Sequence, residues 1–425
     1  MPRPSDDGFG ESLSVFIVMH YFAVEFKMTC GEYQTTRVGG MNVKKIFIAV
    51  FCTLLFALPL FAAEGEVEPI KIGAVLTITG DLAHFGQADD HALRLAAEEI
   101  NEAGGILGRP VKLIIYDCGT RVDEMIQLSR RLVEQDKVCA VIGPTGSDFH
   151  IAAAPIFEKA GVPHIANMAT NPSVTVDDEG NTRPYNFRIC FIDSYAGRVA
   201  ADFVYGDLGK RKAAILYDLS SKYSYGLREY FAQAFEELGG EVVADESYRA
   251  EDIDFRAQLA KIKASSADVL YLPVNGNSPP LVMKQAREAG IEIPFVGGDG
   301  YSELWWNIGD KSIEGSYWVT HAAKDAPELQ AFYRKYEDRF KAKGRESRDA
   351  VLTYDVLYWI KNAIERAGGD DPAKVRDALE ATRDLKLLHA TITMDELHNP
   401  RNKNCFILIA KDGQAATYKR INGNP

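Results

Sequence analysis

The chain has 425 residues, 46% of them hydrophobic and 25% charged, with a formal net charge of −12. That balance belongs to a globular protein with room for two or three domains, and it excludes a disordered or fibrous chain. The acidic balance, and the lack of any Lys/Arg run of five or more, argue against a nucleic-acid partner.

The first feature in chain order is MNVKKIFIAVFCTLLFALPLFAAEG, starting at Met41. Lys44 and Lys45 make a basic start, Ile46 to Phe61 an apolar run broken by Thr53 and Pro59, and Ala62 and Ala63 a small-residue cleavage site. This is the pattern of a secretory signal peptide over 41–63. The competing reading, a membrane anchor, is disfavoured because about 16 apolar residues fall short of a bilayer span. Phe51 is too bulky to precede a lipidated Cys52. A signal peptide opens a protein, so residues 1–40 read as an over-extended start with Met41 as the initiator. Export to the periplasm is the consequence, and disulfides can form there. Cys118, Cys139, Cys190 and Cys405 remain beyond the signal, open to three full pairings or to free thiols. None has the C-x2-C spacing of a metal site.

From residue 70 strands and helices alternate. IKIGAVLTI (70–78) predicts a strand, ADDHALRLAAEEINEA (88–103) a helix stopped by Gly104-Gly105, and VKLIIYD (111–117) a strand. DEMIQLSRRLVEQ (123–135) predicts a helix, CAVIGP (139–144) a strand, SDFHIAAAPIFEKAG a helix and VPHIANM (162–168) a strand. After YNFRICFID a second run begins. KAAILYD (212–218) predicts a strand, YGLREYFAQAFEELGG (225–240) a helix and EVVADESY a strand. DFRAQLAKIKASS predicts a helix, ADVLYLPV (267–274) a strand, LVMKQAREAG a helix and IPFVGGDG a strand. Two more helical stretches, APELQAFYRKYEDRFKAKG and AVLTYDVLYWIKNAIERAGG, precede a terminal hairpin, NCFILIAKDGQAATYKRI. Continuous apolar strands joined by helices mean parallel sheets covered on both faces, an α/β fold of two Rossmann-like units.

Open parallel sheets bind ligands beyond the carboxyl ends of their strands. The loops that matter are therefore those around Phe85, Gly143–Ser147, Met168–Thr170, Asp218–Tyr223, Val274–Asn277 and Asp299. Ser147 is placed to cap the helix after VIGPTG, and such a helix start suits a carboxylate or phosphate. Ser147 and His150 suggest a nucleophile and base, but the pattern is not G-x-S-x-G and no third group orients them. Thr170 offers a hydroxyl and an N–H ahead of the Asn171-Pro172 turn. Phe85, Tyr223 and Tyr225 offer rings in glycine-flanked loops. Asp299 stands alone among Gly297, Gly298 and Gly300. There is no phosphate loop, no G-x-G-x-x-G and no H-E-x-x-H. The reading is a binding cleft, with no catalytic residue, metal or cofactor.

INEAGGILGRPV (100–111) and VIGPTGS (141–147) are the most specific pieces, supported by IKIGAVLTITGDLAHFGQ, AGVPHIANMAT, YNFRICFID, YSYGL and QAREAG. With them the chain, from about Ile70 to its end, resembles periplasmic substrate-binding proteins of the leucine/isoleucine/valine type, the extracytoplasmic receptors of ABC importers. The resemblance implies a type I periplasmic-binding fold, two lobes with parallel sheets joined by a three-stranded hinge. Lobe 1 would be 70–192 plus 321–398, and lobe 2 would be 193–320 plus 399–425. The crossings would fall near Phe191–Asp193, Val319–Ala322 and Leu397–Lys403.

The resemblance also implies residue roles. Ser147 and Thr170 would bind a ligand carboxylate, the Met168 carbonyl and Asp299 an α-ammonium, and Tyr223 would close from the second lobe. Phe85 stands for a tyrosine and loses its hydroxyl, while Asn275 stands for a tyrosine and Asp349 for a phenylalanine, and the polarity of these two departs from an aliphatic-binding pattern. Trp305 and Trp306 are offered as replacement for lost apolar wall, with core packing the safer reading for at least one of them. The implied partners are a small solute, an amino acid or a more polar relative, and the permease subunits of the transporter. The protein itself would be a monomer. An amide, urea or aromatic acid as ligand, and a sensory role, are the alternatives.

Overall fold

The computed structural model describes residues 37–38, 41–42, 67–341, 348–401 and 404–423. The segments expected to be a signal peptide and an over-extended start lie outside the described residues, apart from a two-residue antiparallel ladder of Arg37–Val38 with Met41–Asn42. Glu68–Pro425 forms one compact unit, built on two sheets.

The first sheet has five parallel strands: β1 (Ile70–Leu76), β2 (Val111–Asp117), β3 (Val141–Ile142), β4 (His164–Ala166) and β5 (Asn186–Arg188). Their spatial order is β2-β1-β3-β4-β5. Helices α1 (Ala83–Glu102), α2 (Val122–Arg131) and α3 (Ser147–Ala160) make the crossovers. The chain then reaches α4 (Asp193–Asp202), β6 (Lys212–Asp218), α5 (Lys222–Glu237), β7 (Glu241–Tyr248) and α6 (Arg256–Ala264). β8 (Val269–Tyr271), α7 (Ser278–Glu288), β9 (Phe295–Gly297) and β10 (Tyr317–Thr320) come after these.

The helices α8 (Gln330–Phe340), α9 (Ala350–Ala367) and α10 (Pro372–Glu380) are next. α8 and α9 pack on α1 of the first sheet. A small ladder, β11 (Leu385–Lys386) with β12 (Thr391–Ile392), precedes the hairpin β13 (Asn404–Lys411) and β14 (Gln414–Asn422). That hairpin joins the second sheet, whose order is β14-β13-β10-β9-β8-β6-β7. Its parallel part, β7-β6-β8-β9-β10, repeats the order of the first sheet, and β13 closes antiparallel on β10. The molecule is thus two lobes of one topology. The chain passes between them three times: after β5, after β10 and before β13.

Both sheets reverse strand order beside their first strand, between β1 and β3 and between β6 and β8. Such switch points leave a crevice at the strands' carboxyl ends. The expected 139–144 strand is only Val141–Ile142, because Gly143 turns at φ +77° and Pro144 has no N–H for a ladder. The first helix starts at Ala83, five residues earlier than the pattern indicates. Gly86 allows this: a Cβ there would lie 2.2 Å from the Thr77 carbonyl carbon, so the helix start presses on the loop after β1. The periodicity gives no sign of β5 as a strand. All four cysteines beyond residue 67 are buried free thiols.

Candidate functional site

On the first-lobe side the loops after β3 and β4 are tied together. Ser147 is 1% exposed, and its Oγ accepts a hydrogen bond from the Asn171 backbone N–H at 3.1 Å. It does not cap α3 as its position suggested. Gly146 is the N-cap, at φ +113°, and Ser147 is the first helical residue. Nor does Ser147 pair with His150. The His150 ring stacks on His164 at 3.5 Å, and both of its nitrogens lack a hydrogen-bond partner. Burial holds His150 well below the ordinary imidazole range, so the ring is a neutral core group.

Thr170 is fully buried and its hydroxyl has no hydrogen-bond partner. Its loop is pinned from behind by Arg188, the last residue of β5. The Arg188 guanidinium donates to the carbonyls of Ala169 (3.1 Å), Thr170 (2.6 Å) and Asn171 (2.7 Å). With the carbonyls turned to the guanidinium, the loop's conformation is set by a buried cation rather than by a sheet ladder. Deeper still, the Asp89 carboxylate takes Thr145 Oγ1 (2.9 Å), Asn167 Nδ2 (2.9 Å) and Thr353 Oγ1 (2.5 Å). Burial nevertheless raises this carboxyl to about 6. Met168 is a buried core side chain.

On the second-lobe side the centre is Asp299, 2% exposed. Its Oδ1 accepts from Tyr223 Oη at 3.0 Å, and its Oδ2 pairs with His321 Nε2 at 3.0 Å. Tyr223 Oη also accepts from the Gly300 backbone N–H at 2.9 Å. The tyrosine is therefore a brace for the VGGDG loop, with its hydroxyl already engaged. The glycines serve this packing. A Cβ at Gly298 would lie 2.6 Å from Tyr223 Oη, and one at Gly297 would lie 2.1 Å from the Tyr301 ring. At Gly300 it would meet Asn275 Cβ at 2.7 Å.

A second arginine fastens this loop. Arg348 donates to the carbonyls of Asp299 (3.1 Å) and Tyr301 (2.7 Å), and to Thr320 Oγ1 (2.9 Å). Its Nε lies 3.2 Å from Asp349 Oδ2, and Asp349 Oδ1 accepts from Thr320 at 3.1 Å. Asp349, expected as a polar wall residue, is thus held in an internal ion pair. Asn275 is half-buried beside Gly300. Phe85 packs in the core, its ring 4.1 Å from that of His84. Two aromatic expectations change. Tyr225 is 39% exposed and packs on Tyr217. Trp305 is buried against Tyr301, while Trp306 bonds Glu314 at 3.1 Å, so both belong to structure around β9.

Four residues escaped the sequence reading: Arg188, Asp193, His321 and Arg348. Asp193 opens α4 at 0% exposure, with neither carboxylate oxygen hydrogen-bonded. It faces Thr170 and Asn171 on one side and Asp299 on the other. Burial is the main cause raising its carboxyl to about 8, the Asp299 charge adding to this while Thr170, Arg188 and Asn171 oppose it. The signal was in YNFRICFID, where two charged residues flank an otherwise apolar strand end. Such residues read as surface until the tertiary fold encloses them. Among the described residues, no group of three or more His, Cys, Asp or Glu could hold a metal ion.

Two parallel-sheet lobes of the same strand order, facing each other across buried acids and hydroxyls, define a hinged ligand-binding protein. The chain belongs to the periplasmic binding protein family, whose profile matches residues 69–415. It is 31% identical to an amino acid binding protein of Pseudomonas aeruginosa, covering 80% of this chain and 89% of that one. It is 30% identical to the leucine-, isoleucine-, valine-, threonine- and alanine-binding protein of the same species, covering 81% and 89%. The leucine-binding protein LivK of Thermotoga maritima superposes with a TM-score of 0.77 at 30% identity, over 83% of this chain and 99% of that one. LivJ of Streptococcus pneumoniae, solved with isoleucine, superposes at 0.76 with 29% identity, over 84% and 100%.

Proposed function

We propose that the protein is the extracytoplasmic solute receptor of an ABC importer. It binds an α-amino acid between its lobes and delivers it to the membrane permease. The observation that carries this reading is Asp193, a fully buried carboxyl set between Thr170 and Asp299. Its carboxyl, raised to about 8 chiefly by burial, stays mostly protonated at neutral pH, and a ligand ammonium would take the place of that proton and pair with the ionised form. Ser147 Oγ–H and the Thr170 hydroxyl receive the ligand carboxylate, while the Met168 carbonyl, Asp193 and Asp299 receive its ammonium. Tyr223 and Phe85 form walls, and Asn275 offers an amide to the ligand side chain. Asp349 acts there through its pair with Arg348, so that end of the site is polar without net charge. In this reading lobe 1 is 70–192 plus 321–398, lobe 2 is 193–320 plus 399–425, and the protein works as a periplasmic monomer. The similarity to amino-acid-binding relatives supports it. A thermal-shift screen of the standard L-amino acids tests it, since a ligand of the native state raises the melting temperature by mass action. A hit that its des-amino analogue reproduces with equal affinity, or no hit at all, overturns the amino-acid reading.

A further inference from the structure

Away from the proposed ligand groups, two contacts between the lobes share one construction. Asp81, in the loop after β1, offers Oδ1 to Asn277 of the second lobe, accepting from its backbone N–H at 3.1 Å and its Nδ2 at 2.6 Å. Asn277 is the N-cap of α7. Pro279 and Pro280 come directly after Ser278, and a proline brings no N–H, so Asn277 is one of the few donors at that helix start. Gly276 makes room. It turns at φ +76°, and a Cβ there would lie 1.9 Å from Asp81 Oδ2. Asp148, in the first turn of α3, offers Oδ1 to the Lys222 backbone N–H at 3.0 Å and Oδ2 to Ser221 Oγ at 3.4 Å. Lys222 is the first residue of α5 and Ser221 its N-cap. Asn171 Nδ2 adds a bond to the Lys222 carbonyl at 2.8 Å, and Gly226 lets that amide approach, since a Cβ there would sit 2.8 Å from it.

Two second-lobe helices therefore aim their N-termini across the cleft, and the first lobe supplies a carboxylate to each. Helix starts carry unpaired N–H groups and partial positive charge, so they hold anions well. We propose that Asp81 and Asp148 form a clasp that holds the cleft closed without touching ligand, and so sets how long the empty protein stays shut. The proposal rests on the closing-receptor reading but not on which solute is bound.

The clasp has a proton signature. Desolvation at the lobe contact raises both carboxyls above their ordinary range, although the Asp81 side chain is exposed and Asp148 half-buried, and the Asp218 charge, at the end of β6, adds to the rise at each. Opening returns them to water and to ordinary values. The closed form therefore holds protons more tightly, and acid favours closure. Asparagine keeps an acceptor for each helix and removes the titration.

The test is single-molecule energy transfer on the ligand-free protein, with dyes on azide-bearing residues introduced at the exposed positions Gln127 of α2 and Ala260 of α6. The wild type is expected to make closed excursions that lengthen as pH falls from about 7 to about 5. The Asp81→Ala/Asp148→Ala pair shortens them roughly tenfold. The Asp81→Asn/Asp148→Asn pair holds them near the wild type's low-pH length and loses the pH response. A wild type that never closes when empty overturns the clasp, as does an alanine pair with unchanged closed lifetimes or an asparagine pair that still responds to pH. No solute enters the measurement, so these outcomes are separate from any failure of the amino-acid reading.

Discussion

Asp299 and His321 meet at 3.0 Å with side chains 3% and 2% exposed, which bonds the second lobe's central acid directly to a crossing between the lobes. His321 lies directly after β10, and its ring is 3.7 Å from that of Phe191, which sits on the crossing before α4. One carboxylate thus touches a hinge segment through His321 and the second-lobe helix α5 through Tyr223. The geometry makes the acid stiff before any ligand arrives, which lowers the ordering cost of binding.

Substituting Asp299 separates its two duties. In the amino-acid reading, Asp299→Asn keeps an acceptor for Tyr223 but loses the charge opposite the ammonium. The expected loss of affinity for the amino acid found by screening is about 2–5 kcal/mol, read by calorimetry. His321→Gln, which retains a donor at similar reach, should cost much less than His321→Leu. Equal losses for the two would mean that His321 acts by packing alone.

Asp193 makes stability depend on pH in a direction opposite to that of most acids. Its folded value is raised to about 8 from an ordinary 3.8. Between those limits the folded chain holds a proton that the unfolded chain has released, so stability falls as pH rises through this window. Asp193→Asn removes that penalty. Denaturant midpoints of the ligand-free variant and the wild type should lie close together near pH 4 and diverge by up to several kcal/mol toward pH 8. A gap that does not change with pH would show that Asp193 ionises normally in the fold. The same substitution is expected to weaken amino-acid binding, trading function for stability.

The arginines that pin the two site loops should be intolerant of replacement. Arg188→Met strands the carbonyls of Ala169, Thr170 and Asn171, and Arg348→Met strands those of Asp299 and Tyr301 together with the Asp349 charge. Leaving such groups buried without partners costs about 3–5 kcal/mol. A clear drop in thermal midpoint should appear for each. Arg188→Lys should recover only part of it, because an ammonium cannot reproduce the flat fork of donors.

The glycines around Asp299 make a local prediction. Gly298→Ala forces its Cβ to within 2.6 Å of Tyr223 Oη and 2.7 Å of Leu227 Cδ1. Relief displaces Tyr223, costing about 1–3 kcal/mol of stability. It should also free Asp299 Oδ1, which a crystal structure of the variant would reveal as a broken contact between Tyr223 and Asp299.

Much of this protein was legible in the chain. Apolar runs with helical spacers dictate parallel sheets, because such strands have no solvent face to offer. VIGPTGS, ANMAT and VGGDG end strands, so local pattern places Ser147, Thr170 and Asp299 in strand-end loops, while a ligand role for each follows only from the family resemblance. Local pattern does not give the partners of those residues. Ser147 was expected to cap its helix and instead holds the Asn171 amide. Asp349 was expected to face solute and is paired with Arg348. Of the two tryptophans, offered as wall or as core packing for at least one, Trp305 is buried against Tyr301 and Trp306 bonds Glu314.

What the sequence by itself determined was the strand and helix alternation, the two-lobed class and the loops at the strand ends, all of which depend on near neighbours in the chain. What only the tertiary structure decided was the charge state and bonding of the site. Asp299 meets residues 22 and 76 positions away, and Arg188 meets carbonyls 17 to 19 positions back. An acid or arginine reads as surface until folding encloses it, and its ionisation then depends on which dipoles and charges the fold has gathered around it.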